Sequence, residues 1–488
     1  MKNVETFYPL SPMQQGLLFH SLFAPESGVY VEQISCTLDV DLNVPAFQRA
    51  WQEVVQRHPV LRTSFIAQGL KEPVQAVHKN VSIEWEEEDW SSVSAEDVSE
   101  RLEAFLFAQR QRGFRLSHPP LLRFALLRLG AREYRFVWCW HHLLLDGWSL
   151  PLLFSEVFAL YAGGSAAALV ERRPYRDFVA WVRARERGGA GAAAEVYWRE
   201  ALRGFSTPTS LRGVERRGGS RAGERQAEVV ARLGEGTSEA LLRAARQRGL
   251  TLNATVQGAW ALTLMRVSGA EDVVFGAVVS GRGGGLEGIE RMVGLFINTL
   301  AVRARVKRWS EGAWEWLRRL QDEQVEAREH EQVGLVEVAG WSEVGRGVGL
   351  FETLLAFENY PVDESVQETR LAFEIEEIKT SIPINYPLTM TVVPGPDMIL
   401  RLAYDAGRFD ELAVNELLHE FRTALRFLAT HEDAELGELN NLLNDEKRER
   451  RSAAEEDLKQ MRGLKFRTVR RAGVTTESVQ VARSIAED

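Results

Sequence analysis

Cysteine is nearly absent: Cys36 and Cys139 are the only two in 488 residues. That is too few for a disulfide framework of the kind that braces small secreted folds. Cys139 lies inside an apolar run and reads as a buried thiol, not a nucleophile. Basic excess is missing as well. The net charge is −10, whereas a chain that neutralises nucleic-acid phosphates needs the opposite sign. No apolar stretch reaches about 18 residues, so no membrane-spanning helix is expected. The start, Met1-Lys-Asn-Val-Glu-Thr6, lacks the apolar core of a signal peptide. These absences point to a reducing cytoplasm and to partners other than nucleic acid or membrane.

What is present describes a soluble globular protein, 45% apolar and 26% charged, too long for one ordinary core and so expected to form two lobes. Histidine is scarce, nine in all, yet two stand side by side. The strand-type run Phe136-Val-Trp-Cys-Trp140 ends in His141 and His142, followed by Leu143-Leu-Leu-Asp-Gly-Trp148. Strand ends are where a rigid scaffold presents polar side chains. A lone histidine in such a loop is most often just hydrogen-bonded in place. An adjacent pair followed by Asp146 and Gly147 at this spacing arises by chance in on the order of one chain in a thousand of this length.

Along the rest of the chain, apolar periodicity alternates between strand and helix type. Pro12 starts a helix capped by Ser11, residues 29–40 read as a strand, and 44–57 as a helix with Phe47, Trp51, Val54 and Val55 on one face. Residues 61–66 read as a strand, 81–90 as an acidic segment, and 93–110 as a helix. The next two strands meet at a turn at Gly130, and a helix over 150–161 ends at Gly163-Gly164. A small-residue stretch from Gly188 and an arginine-rich loop over 203–225 mark a boundary, the loop reading as solvated rather than as an acidic-partner site. The alternation then restarts. Strands are expected over 227–233 and 272–279, with helices over 238–248, over 251–264 (Thr251 as cap, apolar all round and therefore buried) and over 411–430.

Several stretches carry a family wording. Leu10-Ser-Pro-Met-Gln-Gln-Gly16, Arg57-His-Pro-Val-Leu-Arg-Thr-Ser-Phe65, His141-His-Leu-Leu-Leu-Asp-Gly147 and Pro174-Tyr-Arg-Asp-Phe-Val-Ala-Trp181 occur in that order. Gly288-Ile-Glu-Arg-Met-Val-Gly-Leu-Phe-Ile-Asn-Thr-Leu300, Leu350 to Pro361, Tyr386 to Met390 and Leu402 to Phe409 follow. Together they resemble the core motifs of the condensation domains of nonribosomal peptide synthetases, a superfamily marked by His-His-x-x-x-Asp-Gly. One stretch departs from it: in Glu329-His-Glu-Gln-Val-Gly-Leu-Val-Glu337, Gly334 stands where the family has proline.

The resemblance implies an α/β (α+β) fold of two lobes, each like chloramphenicol acetyltransferase, forming a V-shaped pseudo-dimer with a central tunnel. Residues 1–185 would be the N-terminal lobe, 186–440 the C-terminal lobe and 441–488 a linker or tail. It implies amide bond formation between a thioester on a donor peptidyl carrier protein and the amine on an acceptor carrier, beside an adenylation domain. The phosphopantetheine arms belong to the carriers. The domain itself would be monomeric, with no cofactor and no metal.

In roles carried over by resemblance, His142 accepts the amine's proton or holds the amine in line, and His141 supports the loop. Asp146 would pair with an arginine, Arg282 first and Arg62 second. Gly147 would turn tightly and offer its N–H to an oxyanion, while Ser280, Asn298 and Trp148 would face the tunnel. Epimerisation and stand-alone acyl transfer share the central motif and stay open beside condensation, as does a non-enzymatic recruitment module. Cyclisation would replace the histidines with aspartates.

Overall fold

The computed structural model describes residues 3–23, 30–216, 226–283, 285–345, 347–359, 375–381, 386–450 and 452. The first half opens with β1 (Val4–Pro9), α1 (Pro12–Phe23), β2 (Val31–Asp39), α2 (Val44–Arg57), β3 (Thr63–Ile66) and β4 (Val74–His78). It continues through β5 (Glu84–Asp89), α3 (Ala95–Arg112), β6 (Leu122–Arg128), β7 (Glu133–His141), α4 (Ser149–Tyr161) and α5 (Tyr175–Arg185). The second half runs α6 (Gly191–Ala201), β8 (Gln226–Arg232), α7 (Glu235–Gln247), α8 (Leu252–Ser268), β9 (Asp272–Val279) and β10 (Asn298–Arg305). It closes with α9 (Ala313–Glu329), α10 (Leu335–Trp341), β11 (Thr353–Phe357), β12 (Ile375–Ser381), β13 (Leu388–Val393), β14 (Ile399–Asp405) and α11 (Glu411–Thr430).

Helices and sheets are mixed in both halves. One sheet has the order β12-β2-β7-β6-β5, a second β10-β9-β11-β13-β14-β8, and a small third β1-β4-β3. Strand β12 belongs to the second half yet pairs antiparallel with β2. The two halves therefore share a sheet.

The apolar run before the histidines follows from the position of β7, inside its sheet with both faces covered. Phe136, Trp138 and Trp140 enter the core under α2 and α4, where the Trp51 ring lies 4.5 Å from Phe124, tilted, and 4.9 Å from Trp138, edge-on. On the other face Val137 and Cys139 pack with Trp90, Leu102 and Leu127. A strand buried on both sides loses the in–out alternation that a half-exposed strand keeps. Helix α2 starts where Asn43 Oδ1 accepts the Ala46 N–H, and α8 where Thr251 Oγ1 accepts the Ala254 N–H, side-chain caps that satisfy otherwise orphaned donors.

The connection from β9 to β10 positions the site. It leaves the second sheet, and its residues Ile289, Met292, Val293, Leu295 and Phe296 bury themselves in the first half's core. The Tyr175 hydroxyl donates to the Leu295 carbonyl at 2.6 Å. At Gly294 a Cβ would lie 2.2 Å from the Tyr175 ring, so a side chain there would drive the segment off α5.

Three local expectations change. The acidic segment forms β5. Residues 59–62 make a 3-10 turn before β3 begins at Thr63, as the missing N–H and fixed φ of Pro59 favour. Residues 441–450, assigned to a tail, continue a helix that buries Leu443, and Arg266 Nη1 donates to Asn440 Oδ1 at 2.7 Å on it. Residues 360–361 of the stretch ending in Pro361, and residues 453–488 of the tail, lie outside the described residues. At the departing motif, Gly334 has φ −72° and ψ 147°, values proline would adopt. The loop keeps a proline-type backbone without the proline.

Candidate active site

The histidine loop is pinned from three sides. At the end of β7 the His141 N–H donates to the Leu121 carbonyl at 2.9 Å, and the His142 N–H to the Tyr30 carbonyl at 2.8 Å. Leu143, Leu144 and Leu145 are fully buried, and Gln14 Nε2 donates to the Leu143 carbonyl at 2.9 Å. Three consecutive leucines leave no freedom for the polar residues on either side of them.

His141 is buried. The Leu143 N–H donates to its Nδ1 at 3.2 Å, so that nitrogen carries the lone pair and Nε2 the hydrogen. Nε2 then donates to Ser21 Oγ at 3.3 Å, while the Ser21 hydroxyl donates to the Leu17 carbonyl. Burial, with a smaller contribution from His142, pushes its pKa down to about 3. It stays neutral and braces the loop against α1.

His142 is oriented the other way. Its Nδ1 lies 2.8 Å from the Leu145 carbonyl and 3.1 Å from Glu32 Oε1. Two acceptors facing one nitrogen require the hydrogen there, which leaves Nε2 as the lone-pair nitrogen. Glu32 stands on β2 opposite Trp140 and is buried. Burial, which His142 opposes and Asp146 and Glu358 reinforce, pushes its carboxyl up to about 7.

Asp146 is fully buried and does no chemistry in the open. Its Oδ1 accepts from Arg282 Nη2 at 3.0 Å and from the Ser149 hydroxyl at 2.9 Å, and its Oδ2 accepts the Phe296 N–H at 2.9 Å. Arg282 Nη1 donates to the Ile289 and Met292 carbonyls at 2.7 and 2.9 Å, and its guanidinium lies 4.0 Å over the Phe296 ring. The Asp146 N–H donates to the Gly294 carbonyl, and the Gly294 N–H donates to Ser149 Oγ. A carboxylate from one half and a guanidinium from the other thus tie the loop to the β9–β10 connection.

Arg62, the alternative partner, is elsewhere. It donates to Glu5, to the Gln56 carbonyl and to the His78 carbonyl, and so closes the small β1-β4-β3 sheet at its own end. A cleft of about 1140 Å³ lies beside the loop, with Trp148 and Ser280 in its wall together with Glu358, Arg246 and Arg328. Asn298 is not in that wall. Its Nδ2 donates to the Glu331 and Val333 carbonyls at 2.6 and 2.8 Å, which makes it a clamp on the turn before α10. Gly147 accepts the Leu150 N–H on its carbonyl, at the start of α4. Cys139 is buried and takes the Gln33 amide on its sulfur; burial raises its pKa, the opposite of an activated thiol.

Glu32, Ser149 and Ser21 belong to the site without a motif to announce them, and Glu358, inside the stretch Leu350 to Pro361, joins them. The available signal was a charge at Glu32 inside a strand whose neighbours are β-formers. Among the described residues no group of His, Cys, Asp and Glu is arranged to hold a metal ion, and no helix is long and apolar enough to cross a membrane.

Comparison with known proteins matches the family model "Condensation domain" to residues 4–450. One of the linear gramicidin synthase proteins of Brevibacillus parabrevis is 40% identical over 92% of this chain, which spans 6% of that protein. Bacitracin synthase 3 of Bacillus licheniformis is 32% identical over 91% of this chain and 7% of its own length. The chain thus spans less than a tenth of these relatives. Among solved structures, the condensation domain of monacolin K polyketide synthase aligns over 89% of this chain and all of its own, with TM-score 0.75 and 18% identity. The first condensation domain of the calcium-dependent antibiotic synthetase, in complex with a substrate analogue, aligns over 89% of this chain and 99% of its own, with TM-score 0.73 and 20% identity.

Proposed function

The chain belongs to the condensation domains, the kind found in nonribosomal peptide synthetases, and we propose that it joins a donor acyl or peptidyl thioester to an acceptor aminoacyl amine as an amide. Both substrates arrive on phosphopantetheine arms of peptidyl carrier proteins, and an adenylation domain charges the acceptor. The lobes divide near residue 185, and the reaction takes place at the histidine loop.

One observation carries this reading: the acceptors at His142 face Nδ1, so Nε2 is left as a base on the loop whose Trp148 enters the wall of the cleft of about 1140 Å³. The acceptor nitrogen attacks the thioester carbon, the new N–C bond forms, and the C=O π pair moves onto oxygen. Nε2 takes the proton the nitrogen must lose. The oxyanion then collapses, the C–S bond breaks, and the proton passes from Nε2 to the departing sulfur. An amine with a reference pKa of about 7.7–8.0 is neutral roughly a tenth of the time or more at pH 7. Holding it in line therefore does much of the work, and a strong base is unnecessary. The Gly147 N–H stabilises the oxyanion. Asp146 and Arg282 act as a brace, and Trp148 and Ser280 meet the substrate arms.

The test is incubation of the chain with one acyl-loaded carrier and one aminoacyl-loaded carrier, followed by mass spectrometry of the acceptor. Amide on the acceptor carrier supports condensation. Inversion of a stereocentre without transfer, or acylation of a free acceptor alone, would replace it with epimerisation or stand-alone transfer. His142→Ala should lower the rate about a hundredfold or more with an unchanged melting curve, and a parental rate would remove His142 from the chemistry.

A further inference from the structure

Glu32 has no task in the scheme above, and it is a costly residue to keep where it is. Its carboxylate sits inside the five-stranded sheet, 5% exposed, and its ion-pair partner is the His142 ring at 13%. Burying a carboxylate is strongly unfavourable unless something in the site uses its charge. The charged groups that face it among the described residues are His142 and Asp146 from the loop and Glu358 from the residue following β11. Arg282, the arginine of the loop's brace, is already committed to Asp146.

Orientation alone does not account for Glu32. The Leu145 carbonyl, 2.8 Å from Nδ1, suffices to hold the hydrogen on that nitrogen and to aim Nε2 outward. A carbonyl is neutral, however, and it does little for a ring that becomes positive. What Glu32 adds at 3.1 Å is a negative charge in a dry setting, where an imidazolium is stabilised far more than it would be in water.

We propose that Glu32 is a positioning residue that forms a carboxylate–histidine dyad with His142 and holds the imidazolium created when Nε2 takes the amine's proton. The inference rests on the proposed amide-forming function. The balance is simple. As the N–C bond forms, one proton leaves the acceptor nitrogen for Nε2, and the ring's new charge pairs with the ionised Glu32. As the C–S bond breaks, that proton goes to sulfur. His142 returns to neutral, and Glu32 stays ionised throughout. Its carboxyl, pushed up to about 7 chiefly by burial, adds a consequence. The dyad is complete only where Glu32 is ionised, so the rate falls as pH drops through that value.

Two measurements on the full chain test this. In the first, the ring nitrogens of His142 are followed by NMR in 15N-histidine-labelled protein as pH is varied, with His142→Ala supplying the assignment. Glu32→Gln, nearly isosteric and neutral, should lower the midpoint of the ring's titration, and Glu32→Asp should fall between. In the second, the rate of amide formation with loaded carriers should drop about 10- to 100-fold in Glu32→Gln, with KM for the acceptor carrier held. The pH profile should also lose the part of its acid limb set near pH 7 by Glu32 and keep only the part set by the acceptor amine. A Glu32→Gln chain that melts like the parent and shows an unmoved ring titration and an unmoved pH profile overturns the dyad. If the titration moves but the parent makes no amide from loaded carriers, the proposed function fails and the dyad stands.

Discussion

A ring nitrogen that accepts a backbone N–H must carry its lone pair, and at His141 that nitrogen is Nδ1. At His142, one residue on, the same nitrogen faces two oxygens and must carry the hydrogen. Adjacent side chains on a strand end point to opposite sides, so one ring enters the core against α1 and the other turns towards Glu32 on β2. A pH signature follows for His141. The unfolded chain binds its proton near the ordinary value of 6.5, the folded chain only at about 3. Between those values the unfolded state holds more protons, so His141 contributes stability that is complete above pH 6.5 and lost as pH falls. The loss should run at up to about 1.4 kcal/mol per unit. Urea unfolding at successive pH values should therefore be less steeply acid-dependent in His141→Asn, which keeps an acceptor for the Leu143 N–H. Parallel curves for the two proteins would remove His141 as the cause. None of this orientation was legible in the sequence, because the partners Ser21, Glu32 and Leu121 are brought in from other elements.

The connection between β9 and β10 shows how an element can serve two cores. Two of its glycines, Gly281 and Gly294, are required by contact. Gly281 has φ +64°, and a Cβ there would lie 1.8 Å from the Phe296 carbonyl oxygen. The Phe296 N–H in turn donates to Asp146. Gly281→Ala should then cost about 2 kcal/mol or more from overlap and backbone strain together, read as a lower urea midpoint, and should lower activity by displacing the loop's anchor. A midpoint equal to the parent's would mean the segment yields freely. The same element scale explains what sequence patterning caught and missed. β9 and α11 have the bounds expected from their apolar periodicity, Asp272–Val279 and Glu411–Thr430. β5, Glu84–Asp89, escaped as a strand because it carries five acidic residues. It is a sheet edge, where charge blunts further pairing, and its one aromatic, Trp85, packs against Phe124 at 4.8 Å. β1 alternates half-buried and exposed residues and gains its pairing only from β4, some seventy positions away.

For the whole molecule the decisive contact is the pair Asp146–Arg282, 0% and 5% exposed and 136 positions apart in sequence. A buried ion pair contributes little net stability compared with apolar residues, but removing one partner strands the other. Asp146→Ala should cost about 3–5 kcal/mol. Adding Arg282→Ala should cost less than the sum of the two single changes, because the stranded charge is gone. Strictly additive losses in urea unfolding would show that the two residues act separately. With β12 lying in the first half's sheet, this pair makes the two halves one mechanical unit around the cleft.

The family and the position of the histidine loop were legible in the sequence alone. Motif wording and apolar periodicity are local properties, readable wherever neighbours in the chain are also neighbours in space. It also pointed to Arg282 across the molecule, through resemblance rather than through any physical pattern of its own. Only the tertiary structure decided that Arg62 closes a separate sheet, that Asn298 clamps a turn away from the cleft, and that Glu32 stands behind His142. Each of those depends on which side chain ends within about 3 Å of which other, and strand register and packing set that distance.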